Sequence, residues 1–223
     1  MRSKLIVVLA ILILGLTSNS FSQSQEISKS EYFAQATRGF DMMESGPYRV
    51  TRMYIRKSEA EDGDVISETT EYQTMYRFRR VGVLKAGTGT KREEYVHVDG
   101  RDFTRTDKGR WKEDKGDGGF SVTGGSGTGG GSVRDIKQVE SFRRLPAETI
   151  NGQEVQVMDS LKNVVEGEGT SANTSEYCQR LWIAKNGRIL KAESRSTHDG
   201  IVTDHTMSEY VYDPKIRVAV PRN

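Results

Sequence analysis

The chain has 223 residues, enough for one medium-sized domain, and its 35% hydrophobic residues include enough Tyr, Phe, Val and Ile to exclude a disordered chain. Basic residues number 33 against 31 acidic, and Arg2 and Lys4 fall in an N-terminal leader, so the remainder is balanced. The basic pairs Arg79-Arg80 and Arg143-Arg144 are diluted by nearby Glu and Asp, which speaks against a nucleic-acid groove.

The leader comes first. Met1 to Lys4 is cationic, Leu5 to Leu16 is aliphatic, and Ser20-Phe21-Ser22 offers small residues at the two positions a signal peptidase reads. Residues 1–22 therefore read as a secretory signal. The apolar run of about a dozen residues is short of the roughly 20 that cross a bilayer, so no stable membrane anchor is expected. No Cys follows the leader, and Cys178 is the one cysteine, so lipidation and an intrachain disulfide are both excluded. The expected location is the periplasm, with extracellular secretion as the alternative. Cys178, in Glu176-Tyr177-Cys178-Gln179 with no His beside it, reads as a structural thiol.

Residues 23–223 read as one β-rich domain. Ser28 and Glu31 form a capping box, and Phe33, Ala36, Phe40 and Met43 follow at helical spacing, ahead of a stop at Ser45-Gly46-Pro47. From Tyr48 onward the period is two. Asp99-Gly100, Asn151-Gly152, Asn186-Gly187 and Asp199-Gly200 carry the chemistry of two-residue hairpin turns. The first predicts Glu94 opposite Arg105, Val96 opposite Phe103 and His97 opposite Asp102. The third predicts Ile183 opposite Leu190, Ala184 opposite Ile189 and Arg180 opposite Glu193, with Lys185 facing Arg188; the fourth predicts Arg195 opposite Asp204. Direct hairpins make the sheet an antiparallel meander, with the strand Ile189 to His198 shared by two of them. Strands such as Ser67 to Met75 and Ile201 to Tyr212 interleave Thr, Ser and Glu with scattered large apolar groups, a pattern suited to a wide curved sheet with part of its concave face open.

Residues 115–132 are Gly-rich and read as a mobile loop. Within it Gly125, Gly127 and Gly130 match the dinucleotide spacing but lack a leading apolar strand. No cofactor is expected. There is no nucleophile elbow, and no lysine follows a Gly-rich phosphate loop. His198, Asp199, Asp204 and His205 could suggest a metal, yet the hairpin register sets His198 beside Ile201 and His205 opposite Ser194, apart from one another. His97 and Asp102 read as a cross-strand ion pair. The chain is read as a non-enzyme.

The run Leu181-Trp182-Ile183-Ala184-Lys185-Asn186-Gly187-Arg188-Ile189-Leu190-Lys191, a further strand, and then Tyr210-Val211-Tyr212-Asp213-Pro214-Lys215-Ile216-Arg217-Val218-Ala219-Val220-Pro221 resemble the end of LolA-like lipoprotein-carrier and LppX-like lipid-binding domains. Upstream a helix, Tyr48 to Arg56, a Tyr72 to Arg80 strand, the Glu94 to Trp111 hairpin and Glu148 to Val155 follow in the same order. The resemblance implies an α+β fold: a strongly curved antiparallel half-barrel with helices covering its concave face and an apolar cavity for acyl chains. Two features depart from the pattern, the Gly-rich insertion and the missing second and third lid helices, one of which Ser132 to Phe142 could supply. The reading is a soluble monomeric carrier of lipid or acylated cargo, its cavity lined by Phe33, Phe40, Met43, Tyr48, Val50, Tyr54, Leu181 and Ile183. The alternative is an envelope interaction or sensor module binding a protein on the same scaffold.

Overall fold

The computed structural model describes residues 24–55, 61–114, 136–166 and 173–222. The leader and the Gly-rich segment 115–132, with Gly125, Gly127 and Gly130, lie outside the described residues.

The described residues form one helix and twelve strands. Strand β1 (Gln25–Glu26) precedes helix α1 (Lys29–Glu44). Then come β2 (Tyr48–Tyr54), β3 (Val65–Thr74), β4 (Arg77–Ala86), β5 (Gly89–Val98), β6 (Arg101–Thr106) and β7 (Lys112–Asp114). The second half supplies β8 (Ile136–Ile150), β9 (Gln153–Glu166), β10 (Asn173–Ala184), β11 (Ile189–His198) and β12 (Ile201–Tyr212). All belong to one antiparallel sheet in the order β1-β8-β9-β10-β11-β12-β2-β3-β4-β5-β6-β7. Its two ends do not pair with each other, so the sheet is open. No described helix is long and apolar enough to cross a membrane.

The helix starts as expected, with Glu31 N–H donating to Ser28 Oγ (3.1 Å). Only half of the capping box forms, because the Glu31 carboxylate accepts from Arg144 on β8 (2.5 Å). The buried stripe is Tyr32, Ala36, Gly39 and Met43. Phe33 and Phe40, expected on that face, are instead 50% and 40% exposed beside it. Gly39 decides this rotation. A Cβ there would lie 2.7 Å from Ile189 Cγ1, so the helix meets β11 at the one position without a side chain.

Three of the four glycine turns have both central residues at positive φ: Asp99 and Gly100, Asn151 and Gly152, Asp199 and Gly200. The β5–β6 register is the expected one, Glu94 with Arg105, Val96 with Phe103 and His97 with Asp102. The strand shared by two hairpins runs Ile189–His198, also as expected.

The other two registers slip near the turns. Arg180 faces Glu193, but a bulge after Trp182 pairs Ile183 with Ile189 and not with Leu190. Ala184 N–H then donates to Arg188 C=O (2.9 Å) and Gly187 N–H to Ala184 C=O (2.8 Å), enclosing a three-residue loop in which only Gly187 has positive φ. Neither Ala184–Ile189 nor Lys185–Arg188 is a pair. The shift turns Ile183 and Ile189 together under α1, where Gly187 also abuts Met42 Sδ; burial outweighs turn preference. In β11–β12 a bulge leaves Arg195 opposite His205 and Ser196 opposite Asp204, correcting the expected Arg195–Asp204 and Ser194–His205 pairs. A one-residue slip flips every later side chain. It brings Ser208, Tyr210 and Tyr212 to the helix side of the sheet.

Two further expectations fail. Tyr72 to Arg80 is not one strand, since the chain reverses at Met75-Tyr76. Ile136 to Phe142 is not a lid helix but the start of β8, held by β9.

The helix-side core joins Tyr32, Ala36 and Met43 to Met158, Leu181, Ile183 and Ile189. On the outer face, Val155, Val157 and Trp182 form one cluster, while Val96, Val98 and Phe103 form another with Val218 from the C-terminal segment. Thus α1 lies over β8–β11, and the helix side of β2–β6 has no described element across it.

Candidate functional site

The uncovered half of the helix-side face carries an aromatic row. Tyr48 is directly opposite Tyr212 on one side and Tyr72 on the other; Tyr72 faces Phe78, and Phe78 faces His97. Directly opposed residues share a face, so this register stacks rings from five neighbouring strands. Ring centroids are 4.7 Å apart for Tyr48–Tyr72, 5.5 Å for Tyr72–Phe78 and 5.4 Å for Phe78–His97. Tyr210 and Tyr95 flank the row, 6.4 Å from Tyr48 and 5.6 Å from Phe78.

Burial raises the phenols of Tyr48, Tyr95, Tyr210 and Tyr212 above their ordinary value. Burial, followed by the neighbouring Tyr72 and Tyr210, pushes Tyr48 well above the ordinary phenol range. Burial raises Tyr212 to about 12, and its hydroxyl donates to Ile189 C=O (3.0 Å). Burial and Asp102 raise Tyr95, which donates to Asp102 Oδ1 (2.5 Å). Up to the His97–Asp102 pair at its far end, the surface is a shelf of ring faces and hydroxyls.

Beside it lies an ion-paired cluster. Arg52 Nη1 donates to Glu68 Oε1 (2.7 Å), Thr70 Oγ1 donates to the same oxygen (3.2 Å), and Arg80 Nε is 3.4 Å from Glu68 Oε2. At the far end His97 Nδ1 is 2.6 Å from Asp102 Oδ1, the expected cross-strand pair. Burial alone would raise the Asp102 carboxyl, but hydrogen bonds with Tyr95 and His97 hold it below its ordinary value.

A cavity of about 580 Å³ borders the helix at Ala34, Gln35 and Arg38, with Arg144, Gln156 and Ile183 in its wall, and two smaller ones border it elsewhere on this face. One of about 200 Å³ is lined by Met43, Tyr48, Tyr72, Thr74 and Met75, at the end of the aromatic row. The other, of about 340 Å³, lies near the helix N-terminus among Phe33, Phe142, Tyr177 and Gln179. Phe33 and Phe142 meet edge to face at 5.9 Å.

The residues expected to line a cavity divide into three groups. Met43 and Tyr48 meet in the cavity of about 200 Å³, Phe33 borders that of about 340 Å³, and Ile183, 5% exposed, borders that of about 580 Å³. Tyr54 is partly buried on the same face as Tyr48, and Phe40 is half exposed. Val50 and Leu181 are buried in the protein's own core, so Leu181 becomes reachable only if α1 moves. Sequence reasoning missed Tyr72, Phe78, Tyr95, Tyr210 and Tyr212. Their period-two spacing was visible, but Tyr72 and Phe78 come together only through a turn that lacks glycine.

The remaining chemical groups are structural in their contacts. Burial and Asp159 raise the Cys178 thiol to about 11. His205 Nε2 is 2.8 Å from Glu193, and His198 Nδ1 is 3.1 Å from Ser175 Oγ. Among the described residues no three His, Cys, Asp or Glu side chains are placed to hold a metal.

No family model matches the chain, and no curated protein matches it. Among solved structures the chain is similar to LprF from Mycobacterium bovis, at 12% identity and a TM-score of 0.53, over 89% of this chain and 100% of that one. At that identity the likeness is one of fold, an open antiparallel sheet with a helix on it.

Proposed function

We propose that this chain is an exported, non-enzymatic carrier or binding protein for lipid or acylated cargo, working in the periplasm from a half-barrel whose concave side is the face bearing α1. The observation that carries this reading is the aromatic row. Five strands present stacked rings on a face the helix leaves uncovered, and burial raises the Tyr48 and Tyr212 phenols among them. An acyl chain lying along such a shelf gains roughly 0.8 kcal/mol per buried methylene, and the hydroxyls and the Arg52–Glu68–Arg80 cluster suit the polar end of the same molecule. The likeness of fold to LprF and the LolA-like and LppX-like sequence resemblance support the same reading.

The test is native mass spectrometry and lipid extraction of protein purified from its own host. Co-purifying lipid is expected, and Tyr72→Ala/Phe78→Ala should weaken binding of a fluorescent fatty-acid probe by about tenfold or more, two large ring faces being lost. An empty protein with unchanged probe binding in the variant would refute the reading.

A second reading has its own observation. Strand β8 runs for 15 residues at the margin of the sheet, yet β1 pairs with it only at Arg143 and Arg144. A partner strand could add to the rest of that edge, as a protein-binding module would require. Hydrogen exchange of Gln138 and Glu140 in envelope extract, protected by a co-purifying protein, would favour it.

A further inference from the structure

Among the described residues, hairpin tips follow a rule with one exception. The tips at Asp99-Gly100, Asn151-Gly152 and Asp199-Gly200 are polar and use glycine, and the β10–β11 loop turns on Gly187. The β3–β4 tip is Met75-Tyr76, and neither residue has positive φ. The strand twist is accommodated by a bulge next to Gln73, between the Tyr72–Phe78 and Thr74–Arg77 pairs. Tip residues are free to be polar, and here they are the most exposed large apolar pair of the described chain, Met75 at 59% and Tyr76 at 76%.

The surroundings give this tip a direction. Met75 lines the cavity of about 200 Å³ into which Tyr48 and Tyr72, the start of the aromatic row, also project. On the other side of the hairpin the C-terminal segment is anchored by Val218 N–H, which donates to Gln73 Oε1 (2.9 Å). That segment exposes Lys215 and Arg217. Arg217 donates to the carbonyls of Pro214 and Ile216 and not to a carboxylate. Arg77, beside the tip, is by contrast neutralised by Asp99. An exposed Met-Tyr pair, with two exposed cations on a segment tied to the same hairpin, is the arrangement that enters the head-group region of an anionic bilayer, apolar groups inserted and Lys and Arg at the surface.

We propose that the Met75-Tyr76 tip, with Lys215 and Arg217, is a contact site for an anionic lipid bilayer, placing the end of the aromatic row at the membrane where cargo passes. The passage of cargo rests on the function proposed above; the contact itself does not.

The experiment is co-sedimentation of the purified full chain with vesicles of phosphatidylglycerol and phosphatidylethanolamine, against vesicles of phosphatidylcholine alone. Binding to the anionic vesicles is expected. Met75→Ser/Tyr76→Ser should lower it by about tenfold or more, and Lys215→Gln and Arg217→Gln by about fivefold each. Circular dichroism establishes that each variant is folded. As an independent measurement, the new indole in the Tyr76→Trp variant should be quenched by brominated acyl chains. Absence of vesicle binding, full binding by the serine variant, or an unquenched indole in a vesicle-bound protein would each overturn the proposal. So would loss of a protein partner on tip substitution while vesicle binding stays intact. Lipid that co-purifies with a chain indifferent to vesicles would overturn the contact and leave the cargo reading standing. Vesicle binding through the tip by a chain that holds no lipid would support the contact and remove the cargo.

Discussion

Substituting Gly39 by alanine tests how α1 is seated on the sheet. The added Cβ would lie 2.7 Å from Ile189 Cγ1 and 2.8 Å from its Cδ1, where ordinary contact begins near 3.4 Å. Ile189 is fully buried among Met43, Leu181 and Ile183, so it cannot swing aside without disturbing them. Overpacking of this kind costs about 1–3 kcal/mol, whereas alanine gains about 1 kcal/mol over glycine in helix propensity. The single variant should therefore be close to neutral or destabilised by up to about 2 kcal/mol. Ile189→Ala alone removes both clashing carbons and leaves a cavity, at a cost of about 2–5 kcal/mol. In the double variant the new methyl group enters that cavity without a clash. The two costs should then fail to add, the double variant being more stable than their sum by about 1–3 kcal/mol. Urea denaturation followed by far-ultraviolet circular dichroism measures all four corners of the cycle. Additivity within about 0.5 kcal/mol would refute the claim that Gly39 exists to let the helix reach Ile189.

Other predictions concern charge and reactivity. Glu94 is buried on the outer face and accepts from Arg79 Nη2 (2.6 Å) and Arg105 Nη2 (2.7 Å), with Arg92 3.2 Å away. Burial raises its carboxyl, but the hydrogen bonds from Arg79 and Arg105 outweigh this and hold it below its ordinary value. A carboxyl lowered in the folded state stabilises the protein above its unfolded value, about pH 4.3, and that stability is lost as pH falls through the folded value. Glu94→Gln should cost about 1–2 kcal/mol at pH 7, the arginines being partly hydrated, and the gap to wild type should shrink at pH 3; urea midpoints at the two pH values decide it. Cys178, raised to about 11, should react with iodoacetamide at pH 8 about a hundredfold more slowly than a free thiol, and at the free rate once urea unfolds the chain. Tyr72→Ala/Phe78→Ala should retain near-native circular dichroism while losing probe binding, because the row faces an uncovered part of the sheet.

Much of the architecture was legible in the chain itself because it rests on local rules. Glycine turns with positive φ set the β5–β6 register residue by residue, alternation marked the strands, and the Ser28 cap marked the helix start. Where a distant element intervened, local rules failed. Packing of α1 on Ile189 replaced the two-residue turn at Asn186-Gly187 by a bulged loop, and rotated Phe33 and Phe40 out of the helix–sheet seam. The β11–β12 bulge has no strong signal in its own residues, yet it puts Tyr210 and Tyr212 on the helix side.

The aromatic row shows the division most clearly. Alternation alone determined that Tyr48, Tyr72, Phe78 and His97 stand on strands, each with neighbours pointing the other way. Tertiary structure alone decided that they share one face: this needed a reversal at Met75-Tyr76, without glycine, and strand pairs between residues up to 164 positions apart, as in Tyr48 with Tyr212. Local sequence governs dihedral preference, whereas cross-strand neighbours are chosen by the total apolar area that one register buries and another would expose.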